Sequence, residues 1–244
     1  MDTWSSAILR TIPWLAHGTA TRDFGSTRYP DFDEEDATRE NRERFVRELG
    51  LDPSRLVVSE NVHGRAVATV AAASSPIMHT CDGLLTSEPG LVLGVKTADC
   101  LPLFFVDPAS RTVAIAHAGW KGVAAGIAIE ALRAMSNTGC QGKTPGVNRV
   151  LVAIGPSIGA CHYAIRDDRR DEMLARTPFV SPDDFMDGRV NLRAIVTRQL
   201  VSSGILPSNI DASAPCTACH PDKFASYFLS HDASQGMLSV VAIR

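Results

Sequence analysis

The sequence predicts an α+β fold: a domain of layered mixed β-sheets flanked by helices. Three observations carry this. Short runs of Val, Ile, Leu and Ala recur between residues 55 and 116, then again at 150–154 and 237–243. Helical spacing is confined to a few stretches around them. Strands and helices do not alternate strictly, as a doubly wound parallel sheet would require, so a mixed-sheet sandwich is favoured. With 244 residues the chain can bury a large core, and it has no repeat or low-complexity linker. We therefore read residues 1–244 as one domain.

The elements follow in order. Asp31 to Glu43 is dense in charge and runs into Arg44–Leu49, where Phe45 and Leu49 sit four apart and Gly50 is a stop signal. This predicts a surface helix. Residues 55–59, 66–70, 91–95, 103–106 and 112–116 have the length and composition of strands, several buried on both faces. Gly119-Trp120-Lys121-Gly122 opens an Ala-rich helix over Val123–Met135. Residues 150–154 form another buried strand, ended by the loop Gly155-Pro156-Ser157-Ile158-Gly159. Asp167–Arg176 and Leu192–Ser203 read as helices, and Met237–Ile243 as a closing strand.

Composition excludes several classes. The chain is 45% apolar and 21% charged, as ordinary soluble globular proteins are. A net charge of −3 leaves no electrostatic footprint for nucleic acid or an anionic membrane. No apolar run approaches the roughly 20 residues that span a bilayer. Met-Asp-Thr-Trp-Ser-Ser carries an acid where a signal peptide carries bases. The expectation is a cytoplasmic protein, monomer or homodimer, acting on a small molecule. Its six cysteines then read as thiols or metal ligands, not as a disulfide scaffold.

Three residues carry the chemistry. His63 in Asn61-Val62-His63-Gly64, Cys100 in Ala98-Asp99-Cys100-Leu101-Pro102 and His117 in Ala116-His117-Ala118-Gly119-Trp120 each meet an apolar run and turn chemistry. All three can converge at one sheet edge. Two imidazoles and a thiolate are the donors of a catalytic zinc that keeps a fourth position open, and copper accepts the same set. A Cys-His hydrolase uses the same residues, with Cys100 as nucleophile, His117 as base and Asp82 or Asp99 orienting the ring. Strand alternation makes Asp82 the better orienting carboxylate if Cys100 lies on a strand.

Two further motifs stand apart. Cys216-Thr217-Ala218-Cys219-His220 has the spacing of a haem-attachment motif. A redox pair, an accessory metal site and an incidental loop pair are its other readings. Cys161-His162-Tyr163 follows the glycine-bracketed loop, whose N–H groups can hold an oxyanion or phosphate. Arg22 and Lys121 are candidate anion contacts.

Together these pieces resemble the laccase-domain family, also called multicopper polyphenol oxidoreductase-like. The matching segments are His17-Gly18 with Thr21-Arg22, Asn61-Val62-His63-Gly64, Asp82-Gly83-Leu84-Leu85-Thr86 and Thr97-Ala98-Asp99-Cys100-Leu101-Pro102. Ala116-His117-Ala118-Gly119-Trp120-Lys121-Gly122, Ile154–Gly159 and Cys216-Thr217 complete the order. The resemblance covers nearly the whole chain.

The resemblance implies zinc held by His63, Cys100 and His117, with those residues catalytic. It implies phosphorolysis of purine nucleosides such as adenosine, inosine and guanosine, and adenosine deamination beside it. Arg22, Asn61, Asp82, Lys121 and Cys161 are the expected substrate contacts. Other readings are a copper-dependent polyphenol oxidase, a Cys-His hydrolase of cell-wall fragments and a catalytically silent zinc protein. Laccase chemistry needs several copper centres, and seven histidines, two of them in the expected metal set, are too few.

Five positions depart from the family pattern, beside a shortened glycine-rich loop reading Asp23-Phe24-Gly25-Ser26. Asn61 stands where Gln is usual, Lys121 where Arg is usual, and Ala164 where a Glu is usual. Phe228-Leu229 replaces a pair of arginines. The expected metal site is whole, while the expected substrate pocket is altered.

Overall fold

The computed structural model describes residues 2–27, 36–72, 74–137 and 146–244. Among the described residues fourteen strands run as β1 (Thr3–Trp4), β2 (Leu15–Ala20), β3 (Leu56–Ser59), β4 (Val67–Thr69), β5 (Ile77–Met78), β6 (Gly83–Thr86) and β7 (Val92–Thr97). They continue as β8 (Leu101–Asp107), β9 (Thr112–Ala118), β10 (Leu151–Ile154), β11 (Phe185–Met186), β12 (Arg189–Val190), β13 (Ile210–Asp211) and β14 (Met237–Ile243). The helices are α1 (Asp36–Glu48), α2 (Trp120–Ala125), α3 (Ile127–Asn137), α4 (Asp167–Arg176), α5 (Leu192–Ser202) and α6 (Tyr227–Ser230).

Two six-stranded mixed sheets form the frame. One has the order β1-β2-β14-β7-β3-β5 and the other β13-β10-β8-β9-β6-β4. The predicted α+β sandwich is what the chain adopts. Residue alternation on β8 shows how the layers stack. Phe104 and Val106 join Leu93 and Val95 of the other sheet in the core between the sheets. Leu103 and Phe105 point the opposite way and meet Ile127, Ala131, Ile195 and Leu200 of α3 and α5. Both faces of the strand are therefore buried, which explains its uninterrupted apolar run. Phe45 and Val46 of α1 cover the outer face of the first sheet against Val58, Leu238 and Val240. The result is four layers, helix on sheet on sheet on helices.

Most predicted elements are present, with two differences of substance. The expected helix over Val123–Met135 is two helices, because Gly126 takes φ +82° and breaks the run between α2 and α3. The chain also forms β2, whose Leu-Ala-His-Gly-Thr-Ala sequence is mixed but wholly buried between β1 and β14. Residues 31–35 of the expected charged helix lie outside the described residues. From Asp36 onward the helix forms, and Gly50 at φ +72° ends it by donating to Arg47 O at 2.9 Å. Among the described residues no helix is long and apolar enough to cross a membrane.

This frame positions one hairpin with care. β8 and β9 pair antiparallel, with Pro102 opposite His117 and Leu101 opposite Ala118. Cys100 immediately precedes the hairpin's first strand, and His117 lies near the end of its second, so the two meet at one end of the sheet. β6 lies against β9 on the other side, with Gly83 opposite Ala116, and this places Asp82 beside His117.

Candidate functional site

His63, Cys100 and His117 converge as the sequence predicts. Their donor atoms all lie within 4.8 Å of one another. The two imidazole rings stand perpendicular with centroids 4.8 Å apart. His117 is buried, Cys100 is half-buried and His63 is exposed, so the group opens toward solvent through His63.

Asp82 organises the inner side. It has no exposed surface, and its Oδ1 lies 2.9 Å from His117 Nδ1. The same carboxylate accepts the N–H of His63 at 2.8 Å and that of Gly64 at 2.7 Å. Its engagement with His117 Nδ1 leaves Nε2 to face the other two donors. A carboxylate behind an imidazole in this way fixes tautomer and ring orientation. It also holds the 61–64 loop, where Asn61 and His63 take φ +65° and +60°, values uncommon outside glycine. Both Asp82 oxygens are thus engaged with protein, which makes it an orienting residue for the trio.

Asp99 organises the other side. Its φ of +88° turns the chain sharply between β7 and β8. Thr217 donates to Oδ1 at 2.5 Å, Phe228 N–H to Oδ2 at 2.7 Å, and Ile158 N–H to the backbone carbonyl at 2.9 Å. The residue next to Cys100 is therefore tied to three distant segments. Gly119 completes the packing. A Cβ there would fall 3.0 Å from His63 Cδ2 and 3.1 Å from Cys100 Sγ, so any larger residue would press on the trio.

The electrostatics favour a thiolate. Burial alone would push the Cys100 thiol up, but the His117 charge and hydrogen bonds from His117 and His63 outweigh it and bring it down to about 6. Burial would likewise lower His117, yet the Cys100 thiolate and the Asp82 carboxylate raise it to about 9. These two shifts are one event, a thiolate–imidazolium pair held in place by a buried carboxylate. The residues fit a metal ion: two imidazoles and a ready thiolate, close enough to share one ion, with an accessible side for a fourth ligand.

Three clefts surround the trio. One of about 240 Å³ is lined by Asp99, Cys100, Trp120, Tyr163, Tyr227 and Phe228 among others, and aromatic rings stand on several of its walls. A second, about 500 Å³, lies beside His63 and carries Lys121, Arg166 and Arg169 together with Asp168 and Glu172, and Arg166 is paired with Asp168 at 2.7 Å. The third, about 370 Å³, is bounded by Asn61, His63, Lys96, Cys100 and His117. Lys121 reaches over the Trp120 ring at 5.6 Å, as does Arg169. Asn61 Nδ2 donates to Lys96 O at 2.7 Å and its Oδ1 accepts from Ser59, so this residue braces the third cleft's wall.

Not every expected contact gathers here. Arg22 sits exposed on a short turn whose N–H donates to Lys223 O, and it lines none of these clefts. Cys161 is held with His162, Cys216 and Cys219 in a second group. Sequence reasoning missed Arg169, Tyr163 and Tyr227 as cleft residues. Arg169 lay unmarked in a charged helix, and the tyrosines had no spacing signal. The departures Ala164 and Phe228 both line the aromatic cleft. Lys121 lines the second cleft and Asn61 the third, so the altered positions are spread over all three clefts.

Comparison with known proteins places this geometry. A family model described as multi-copper polyphenol oxidoreductase laccase matches residues 19–244. The purine nucleoside phosphorylase YlmD of Geobacillus stearothermophilus is 30% identical over 217 residues, which cover 84% of this chain and 78% of that protein. The purine nucleoside phosphorylase LACC1 of Mus musculus is 29% identical over 233 residues, 86% of this chain and 51% of that protein. The chain thus spans about half the length of the mouse relative. The crystal structure of Geobacillus stearothermophilus YlmD superposes with a TM-score of 0.83 at 27% identity, over 96% of this chain and 93% of that one. Bacillus licheniformis YfiH, described as a hypothetical protein, gives 0.82 at 27% identity over 94% and 93%.

Proposed function

The chain belongs to the multi-copper polyphenol oxidoreductase laccase family, and on that premise we propose that it is a zinc-dependent purine nucleoside phosphorylase. The observation that carries this reading is the convergence of His63, Cys100 and His117 where an aromatic cleft meets a cationic one. The naming of the relatives as purine nucleoside phosphorylases supports the reaction class.

In phosphorolysis a phosphate oxygen bonds to the anomeric carbon of the ribosyl group as the carbon–nitrogen bond to the purine breaks. The bonding pair leaves with the purine, which takes a proton. The site must therefore hold an anion, a flat aromatic base and a proton source. Lys121 and Arg169 supply cations beside His63 for the phosphate, while Arg166 is already paired with Asp168. Trp120, Tyr163, Tyr227 and Phe228 offer faces and edges for the purine. His231, on the wall of the same cleft, is positioned to give the departing base its proton. A zinc held by His63, Cys100 and His117 would supply a Lewis acid at the junction of the two clefts. Asp82 keeps the His117 ring and the 61–64 loop in register throughout. Copper oxidase chemistry is not supported by the histidines. His17 is buried in a sheet, accepting the Ser6 N–H, and among the described residues the two candidate metal groups hold only two histidines, His63 and His117, and one, His162.

The test is purine release from adenosine, inosine and guanosine with and without phosphate, comparing wild type with Cys100→Ala. Phosphate-dependent release that disappears in the variant is the expected result. Equal release from both proteins would remove the trio from the chemistry. Phosphate-independent release of purine with free ribose would make water the acceptor, and inosine formed from adenosine would show deamination at the base instead.

A further inference from the structure

Outside the proposed active site, Cys161, His162, Cys216 and Cys219 form a second convergent group, with all four donor atoms within 4.8 Å of one another. The loop after β10 supplies the first two, and the turn Thr217–Cys219 with its preceding residue supplies the others. His162 Nδ1 lies 3.3 Å from Cys161 Sγ, 3.5 Å from Cys219 Sγ and 3.8 Å from Cys216 Sγ. The sulfurs of Cys161 and Cys219 are 3.5 Å apart.

We propose that these four residues are a structural zinc site of the Cys₃His type. Zinc–sulfur bonds of about 2.3 Å and zinc–nitrogen bonds of about 2.0 Å at tetrahedral angles require donors roughly 3.5–3.8 Å apart. The observed separations bracket that range. Three sulfurs and an imidazole nitrogen leave no position for substrate, which is the closed ligand set of a structural centre. A disulfide would consume two of the sulfurs and leave the third thiol and the imidazole without their shared role.

The surroundings are built for the charge. Gly159 N–H donates to Cys216 Sγ at 3.1 Å, and a Cβ at Gly159 would come 3.2 Å from Cys161 Sγ and 3.3 Å from Cys216 Cβ. A side chain at this position would press the two halves apart by a few tenths of an ångström. The Arg193 guanidinium of α5 donates to Ser157 Oγ and O and to Pro215 O at 2.8–3.0 Å, and also to Ala214 O. It thereby staples the two ligand-bearing segments together. Its positive charge also stands within electrostatic reach of all three cysteines, and a zinc with three thiolates carries one net negative charge for it to offset. His220, the last residue of the haem-like motif, is not a member of the group.

The consequence reaches the active site. Thr217 lies between two of the ligands, and its hydroxyl anchors Asp99, the neighbour of Cys100. The second centre holds the turn from which the Cys100 loop is suspended.

Metal analysis of the full chain, purified from zinc-supplemented medium without chelator, tests this. Wild type is expected to carry two zinc ions per chain, and Cys161→Ser with Cys219→Ser to carry one. Cys100→Ala is expected to lose the other ion and keep this one. Cobalt-loaded wild type provides a readout that does not depend on folding of a variant. Total sulfur-to-cobalt charge-transfer intensity should correspond to four thiolates, about three from this centre and one from Cys100. A single ion in wild type that vanishes in Cys100→Ala would overturn the proposal. So would two ions retained in the double serine variant, or an intact mass lower by two hydrogens from a disulfide among these cysteines.

Discussion

The two Cys/His groups among the described residues use similar donors in different settings. The trio of His63, Cys100 and His117 has three donors, a buried carboxylate behind one of them, and clefts in front. The quartet of Cys161, His162, Cys216 and Cys219 has four donors, a guanidinium behind the loops that carry them, and no member lining the three clefts. An open set with an orienting carboxylate is suited to chemistry, whereas a closed set rich in thiolates is suited to holding chain segments together. The difference teaches that donor type alone does not assign a role. The number of donors and what stands behind them do.

The sharpest way to break this contrast is Cys100→Ala. It should lower phosphorolysis by more than about 100-fold, since it removes one of three ligands of the proposed catalytic ion. Zinc at the quartet should be unchanged, as measured by metal analysis beside the kinetics. Comparable loss of both ions would mean that the groups do not act separately.

Asp82→Asn should come next, at about 10- to 100-fold in metal affinity at the trio and in kcat/KM. Competitive chelation can measure the first and steady-state assays the second. The amide can still accept from one backbone N–H, but it no longer stabilises a charged His117.

Thr217→Val sharpens the link between the groups. It removes a buried hydrogen bond to a carboxylate, worth about 1.5–3 kcal/mol of stability. Urea unfolding should show that loss with the quartet zinc retained. kcat should fall by several-fold as the Cys100 loop loosens.

The smallest effect separates the fold from both centres. Burial holds His17 down at about 4, against 6.5 when unfolded, and its Nε2 accepts the Ser6 N–H at 3.0 Å. A depressed folded value means that the unfolded chain binds the proton more tightly. Its contribution is therefore complete above about pH 6.5 and is lost as pH falls toward 4. Stability at pH 5 should be lower than at pH 7 by roughly 1–2 kcal/mol from this residue. His17→Gln should flatten that part of the profile. Activity lost on acidification beyond this component then belongs to the site.

Much of this was legible in sequence, for identifiable reasons. The α+β sandwich followed from short buried runs that failed to alternate strictly with helices, and those runs are β3, β7, β8, β9, β10 and β14. The trio was legible because each member sits where an apolar run meets turn residues. The choice of Asp82 over Asp99 was sound for a different reason than strand alternation. Cys100 lies in the bend before β8, and Asp99 is turned away to Thr217 and Phe228. The quartet was not legible as a unit. Its halves are more than fifty residues apart in irregular loops, where no periodicity records which segments meet. β2 was hidden because His17, Gly18 and Thr19 do not read as a strand, although every residue from Leu15 to Ala20 is buried. The aromatic cleft depends on tertiary packing of α2, α4 and α6 against the Cys100 loop, which no local pattern encodes.

The most direct measurement is phosphorus NMR of wild type incubated with adenosine and phosphate. The account predicts ribose 1-phosphate accumulating in step with free adenine, and neither product from Cys100→Ala. Adenine accompanied by free ribose, or ribose 1-phosphate formed equally by the variant, would contradict it.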